Sequence, residues 1–325
     1  MRLLVLGAGG IGGYFGARIA AAGGDVSFLV RPGRAALLRD KGLHVFSPHG
    51  DLHLTPKVLT REELAAPFDA AILSCKAYDL DSAMNDIAPA IGPETLLLPL
   101  LNGVAHIDRL VARFGEKRVL GGVAQAALLV TPSGEIRHFN ATHRLIVGAR
   151  GQAGTLAGPL RDLTNLIAAS GVDVVRSDNI MQAMWNKFVF WAALAGATCT
   201  LRANIGIIVQ TTGGEAFVTG LIGECARVAE AAGHALTVSQ LATCRSLLTE
   251  SGSVLAASML RDIERGGPTE AEFTLGDLIA RARTADIDAH CLRLAYSHMQ
   301  AYEIRRTTVN QSDTDYPPHP IATPP

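Results

Sequence analysis

Apolar positions along the chain follow two regimes that divide it near residue 177. Before that point they come as short unbroken runs, at 3–6, 26–30, 70–74 and 96–100, bounded by glycine, proline or polar residues. Each run is too short for a helix and lacks the alternation of a half-exposed strand, so each predicts a strand buried on both faces. Residues 14–22 and 35–40 read as helices, which gives a β-α alternation. Residues 44–46 and 52–54 predict a small hairpin; 119–130, 135–139 and 143–147 predict further strands around a Thr131-Pro132-Ser133-Gly134 turn. A helix is expected over 156–169 and a last strand over 172–175. From Asn179 strand signals nearly vanish, and helical spacing runs through 180–203, 215–232, 238–250, 270–283 and 289–305 with no internal repeat. The fold class is therefore α/β: an N-terminal α/β domain over 1–177, then an all-α C-terminal domain over 178–306. The tail, 307–325, holds five of the fifteen prolines and is expected to lack fixed structure.

Composition narrows the function more than the fold. A formal charge of −1 over 325 residues gives no basic footprint for nucleic acid. The five cysteines are odd in number and scattered, without a C-x-x-C, which points to reduced thiols in a cytoplasmic protein and to no metal framework. The ten histidines form no ligand spacing for a metal site either. No signal peptide is evident, and the longest apolar stretch, 188–201, falls short of a membrane span and reads as a buried helix.

The chemistry begins directly after the first apolar run, at Gly7-Ala8-Gly9-Gly10-Ile11-Gly12. In a strand-turn-helix context Gly7 allows the tight turn, Gly9 lets the backbone approach a pyrophosphate, and Gly12 allows close helix–strand packing. The free N–H groups and positive dipole end of the following helix suit a diphosphate. The motif sits in a β-α-β context, so the N-terminal domain reads as a Rossmann-type dinucleotide-binding domain. An NAD site usually carries an acid at the end of the second strand, whereas this chain has Val30-Arg31-Pro32-Gly33-Arg34 there, and Asp25 precedes the strand. Arg31 suits a 2′-phosphate, so NADPH is favoured over NADH, with Arg34 read as a solvated loop charge.

Three further places carry candidate chemistry. Lys76 and Asn102 follow the third and fourth runs, where ligands lie in open α/β sheets; a surface lysine and a turn asparagine are the plain alternatives. Lys187 is the only charged residue between Asp178 and Arg202. Partial burial of its ammonium would lower its pKa and suit it to give up a proton, unless its stem merely packs while the charge reaches water. Glu270 falls in the first turn of a helix that Thr269 can cap, which makes it either a dipole-favoured acid or an acid facing a cleft beside Lys187.

Taken together, the glycine turn, Cys75-Lys76-Ala77, Leu101-Asn102-Gly103, Trp185-Asn186-Lys187, Ser258-Met259-Leu260 and Thr269-Glu270 resemble the ketopantoate reductase (2-dehydropantoate 2-reductase) family along residues 1–305. Members reduce the 2-ketone of ketopantoate with NADPH on the route to pantothenate, and their helical domain often forms homodimers. By resemblance Lys187 is the general acid and Glu270 the acid that positions it and the substrate. Asn102 and Lys76 contact nicotinamide, ribose or substrate, Ser258 holds the substrate carboxylate, and Ala127 lines the cofactor cleft. The chain departs from the family where Trp191, Ala195 and Ile205 stand at positions of substrate-binding asparagines; Asn204 lies one residue off. A pocket with fewer donors discriminates differently among hydroxylated substrates. The expected partner is a small 2-oxo acid, with no nucleic acid and no membrane. Two alternatives remain beside ketopantoate reduction: a paralogous reductase of a less hydroxylated 2-oxo compound, and a non-catalytic NADP-binding sensor.

Overall fold

The computed structural model describes residues 1–151 and 156–309, in two compact units, Met1–Val189 and the chain from Phe190 on. In the first unit β1 (Arg2–Leu6), α1 (Gly10–Ala21), β2 (Asp25–Leu29) and α2 (Pro32–Lys41) form the opening β-α-β-α run. The hairpin β3 (Leu43–Phe46) and β4 (Leu52–Leu54) follows, then β5 (Lys57–Leu59), β6 (Ala70–Leu73), α3 (Leu80–Ile87), β7 (Leu96–Pro99) and α4 (Ala105–Phe114). The unit continues through β8 (Gly121–Gln125), β9 (Leu128–Val130), β10 (Ile136–His138), β11 (Arg144–Gly148), α5 (Ala157–Ala168) and β12 (Asp173–Arg176).

A five-stranded parallel sheet, β5-β2-β1-β6-β7, organises this unit. Its central strands are the unbroken apolar runs of the sequence, and all four residues of β6 and of β7 are buried. Such strands need cover on both faces, which the crossover helices supply. Chain direction from β1 leads to β2 on one side and β6 on the other. The carboxyl ends of β1 and β6 therefore flank the switch point at which ligands bind in doubly wound sheets.

Two smaller sheets, β4-β3-β10-β9 and β12-β11-β8, complete the unit. The run expected as one strand over 119–130 is split between them: β8 pairs with β11, and β9 pairs with β10. The break falls at Ala127, whose N–H donates to Asn140 Oδ1 at 3.0 Å and whose carbonyl accepts from the Phe139 N–H at 2.9 Å. These bonds take the backbone groups that would have continued one ladder.

The helical unit starts within α6 (Ile180–Leu201) and adds α7 (Ile205–Ile208), α8 (Gly214–Ala231), α9 (Val238–Leu248), α10 (Ser258–Glu264), α11 (Asp277–Thr284) and α12 (His290–Val309). Helix starts are secured by side chains: Asn204 accepts from the Ile207 N–H, and Thr237 with Gln240 forms a capping box on α9. The start of α12 uses a buried acid from another helix. Glu224 of α8 accepts from the Cys291 N–H at 3.0 Å and the Leu292 N–H at 2.8 Å, satisfying first-turn donors that have no partner within their own helix. α12 runs to Val309, three residues into the expected tail; the rest of that tail lies outside the described residues. None of the five cysteines is in a disulfide.

Candidate active site

The glycine turn is shaped by three different constraints. Gly7 has φ +93° and donates its N–H to the Leu29 carbonyl at 3.0 Å, a conformation that suits glycine. A Cβ on Gly12 would collide with the Gly7 carbonyl oxygen and with Ser74 Oγ. That hydroxyl is itself fixed by donation to the Leu6 carbonyl at 3.0 Å. A Cβ on Gly9 would meet nothing within 4 Å. Gly9 therefore faces open space, and α1 begins beside it with no side chain capping it. An uncapped start on a 12-residue helix, facing open space, has the geometry that suits a phosphate. Gly10 and Ile11 form the first turn of α1.

Gly7, Ala8 and Gly9 form one wall of a cavity of about 650 Å³ that also reaches Arg31, Lys76 and Asp79. Its volume, its uncapped helix start and its basic side chains fit a dinucleotide. Arg31 caps α2 at the end of β2, as expected, with its side chain 66% exposed; its Nη2 donates to Asp79 Oδ1 at 2.6 Å. That pairing raises the guanidinium pKa. Arg34 is not the solvated charge expected of it. Its Nη2 donates to the Ala8 carbonyl at 3.1 Å and the Gly134 carbonyl at 2.9 Å, tying the glycine turn to the β9–β10 turn. Burial lowers its pKa. Ala127 is exposed between β8 and β9, and from that stretch it is Val130, Thr131 and Pro132 that line the cavity.

Lys76 and Asn102 stand half-buried beyond the carboxyl ends of the neighbouring strands β6 and β7. Gly103, with φ +79°, turns the chain from Asn102 towards α4. A Cβ on Gly121 would strike Ile180, and one on Gly122 would strike the Pro99 carbonyl and Leu100. β8 is thus sandwiched between the start of α6 and the end of β7. Lys187, two turns further along α6, is half-buried and belongs to the first unit.

His106 is a residue the sequence reading missed. It sits on the buried face of α4 with Ile107, Leu110 and Phe114 and is 4% exposed. Its Nε2 has no hydrogen-bond partner among the described residues. Burial, and secondarily the positive charge of Lys187, lower its pKa to about 3. The signal was a histidine on the apolar stripe, four residues past Asn102, and periodicity alone reads such a residue as core. The shift has a consequence for stability. Unfolded, the imidazole takes up a proton below its ordinary pKa of about 6.5, while the folded chain refuses it until about pH 3. Stability therefore falls as pH drops through that window, by about 2 kcal/mol at pH 5 relative to pH 7. Urea unfolding of His106→Leu at both pH values should show that part of the pH dependence gone; an unchanged difference would disprove the assignment.

In the helical unit Ser258 opens α10 and is half-buried, and Glu270 is 2% exposed. Thr269 does not cap the next helix. Its Oγ1 is buried without a hydrogen-bond partner among the described residues, and its N–H donates to Glu303 Oε1 at 2.6 Å. Glu270 lies before the helix start, because the chain enters α11 through a π-helical turn, Glu272–Gly276. Thr274 in that turn donates its hydroxyl to the Glu270 carbonyl at 2.7 Å. Tyr302 on α12 donates to the Gly267 carbonyl at 2.7 Å, so α12 holds the segment leading to Glu270 at two points. Trp191, Ala195 and Ile205 are buried. Among the described residues no helix is long and apolar enough to cross a membrane, and no group of three or more histidine, cysteine or acidic side chains could hold a metal ion.

Residues 3–152 match the family model of ketopantoate reductase PanE/ApbA, and residues 179–303 match the model of its C-terminal domain. The chain belongs to the ketopantoate reductase family. Like others of this family it is an oxidoreductase with a Rossmann-like, parallel-sheet N-terminal domain and a helical C-terminal region. It is 34% identical to an uncharacterised oxidoreductase of Bacillus subtilis, YkpB, over 306 residues, which is 94% of this chain and 100% of that protein. It is 26% identical to the 2-dehydropantoate 2-reductase of Halobacterium salinarum over 298 residues, 90% of this chain and 96% of that enzyme. Its fold is similar to that of a D-mandelate dehydrogenase solved with NADH and anilino(oxo)acetate, with a TM-score of 0.85, 21% identity and coverage of 94% of this chain and 100% of that one.

Proposed function

We propose that the protein reduces the 2-ketone of a 2-oxo acid with NADPH, and that ketopantoate, giving pantoate, is the substrate. The observation that carries this reading is Lys187. It is a half-buried ammonium on an otherwise uncharged helix, close enough to His106 to disfavour protonation there, in the same unit as a dinucleotide-sized cavity. NADPH, when bound, supplies the hydride for the carbonyl carbon. Negative charge then collects on the carbonyl oxygen, and Lys187 stabilises and protonates it. His106, kept neutral, adds an imidazole and no charge to that neighbourhood. Gly9 and the start of α1 take the diphosphate, Arg31 the 2′-phosphate, and Lys76 and Asn102 the nicotinamide, ribose or substrate end. Glu270 and Ser258 are the helical unit's contributions to positioning the substrate, by family motif.

A second reading, a less hydroxylated 2-oxo acid, is favoured by one observation. Trp191, Ala195 and Ile205, standing where the family has asparagines, are all buried and apolar. Steady-state oxidation of NADPH and of NADH with ketopantoate, branched aliphatic 2-oxo acids and an aryl 2-oxo acid separates the two. The highest kcat/KM with ketopantoate supports the first reading. A preference of about tenfold or more for an apolar substrate moves the assignment to the second. No oxidation with any of them leaves a nucleotide-binding protein without this activity.

A further inference from the structure

Arg31 and its partner have a consequence for cofactor choice. We infer that Asp79 is a cofactor-specificity residue: it competes with a 2′-phosphate for Arg31 and presents a carboxylate to a 2′-hydroxyl, so that the site admits both NADPH and NADH. The inference rests on the dinucleotide reading of the cavity and adds to it a residue that sets selectivity.

The geometry is specific. Arg31 stands at the end of β2, where an NAD site carries its acid. Here the acid comes instead from the turn after β6, 48 residues further along the chain, and sits 2.6 Å from the guanidinium. Both side chains line the same cavity as the glycine turn. Asp79 is 32% exposed and Arg31 66%, so the pair is wet and weak enough for a better anion to open it. A phosphate is such an anion, with more charge and three oxygens for the planar guanidinium. An unphosphorylated ribose offers Arg31 only a neutral hydroxyl oxygen but can donate its 2′-hydroxyl to Asp79.

The remaining charges do not override this balance. Arg34 is committed to the Ala8 and Gly134 carbonyls, and Arg61 faces Asp86 at 3.6 Å. The lining as a whole carries four basic side chains against three acidic ones. A 2′-phosphate bearing nearly two negative charges is therefore incompletely matched while the Asp79 side chain holds Arg31.

The test is equilibrium binding of adenosine 2′,5′-bisphosphate and of AMP to the full chain by calorimetry, which needs no substrate and no turnover. The wild type should bind both. Asp79→Asn should tighten the bisphosphate about five- to tenfold and leave AMP no tighter, widening the ratio between them. Arg31→Ala should narrow the ratio by weakening the bisphosphate alone. Thermal unfolding of each variant confirms that the fold is intact. If Asp79→Asn shifts both ligands equally, or neither, Asp79 does not set selectivity. If the wild type binds neither ligand, the dinucleotide reading itself fails and takes the inference with it.

Discussion

Gly12→Ala should cost about 3 kcal/mol of stability and abolish nucleotide binding, while Gly9→Ala should leave stability unchanged and lose the nucleotide alone. The contrast follows from where each added methyl would go. At Gly12 it would enter the space of the Gly7 carbonyl oxygen and Ser74 Oγ. Relief would need a shift of α1 away from β1, and with it of the turn that Gly7 makes at φ +93°. Overpacking against backbone relaxes poorly, so the loss should appear as a lower Tm. At Gly9 no protein atom lies within 4 Å of the new methyl, and φ of −87° is ordinary for alanine. The methyl would occupy only the space we propose for a phosphate, and affinity for NADPH should fall by about tenfold or more. Calorimetry beside thermal unfolding reads both outcomes. Unaltered NADPH affinity in Gly9→Ala would show that no diphosphate approaches that backbone.

The second large effect is expected at Lys187. Lys187→Met keeps most of the stem that packs along α6 and removes the ammonium, so the helix should stay folded. Turnover should drop about 10²- to 10⁴-fold, the range for losing a positioned proton donor. NADPH affinity should stay within a factor of about two, because the proposed seats of the diphosphate and 2′-phosphate are elsewhere in the same unit. The limb of the kcat pH profile that reports proton donation should vanish as well. Wild-type turnover in the variant would overturn the general-acid assignment, and a parallel loss of NADPH binding would make Lys187 a cofactor ligand instead.

What could be read from the chain beforehand is what local pattern controls. Unbroken apolar runs named β1, β2, β6 and β7, and the glycines between β1 and α1 announced the turn, since each signal is complete within a dozen residues. The features that escaped depend on partners far along the chain. β5 is three residues long, opens on an exposed lysine and is nowhere fully buried, and only its pairing with β2 makes it a strand. The break at Ala127 needs Asn140 and Phe139 to be visible. The π-helical entry to α11 displaced the cap expected of Thr269, because Glu303 holds the backbone there. Arg34 looked like a loop charge until the carbonyls of Ala8 and Gly134 closed around it. His106 looked like core because it is core by burial; that burial lowers its pKa, and Lys187, 81 positions later, adds the lesser part. In each case a residue type was legible and its counterpart was not.

Glu224 ties these distances together in a different way. By gripping the first amides of α12 it fixes where that rod begins, and so where Tyr302 and Glu303 arrive, between three and four turns from its start. Those two residues in turn steer the backbone that delivers Glu270. A lesion at position 224 would thus masquerade as a defect in substrate handling, although the side chain sits on a helix that contributes no proposed ligand contact. Random screens for crippled variants should be interpreted with that lever in mind.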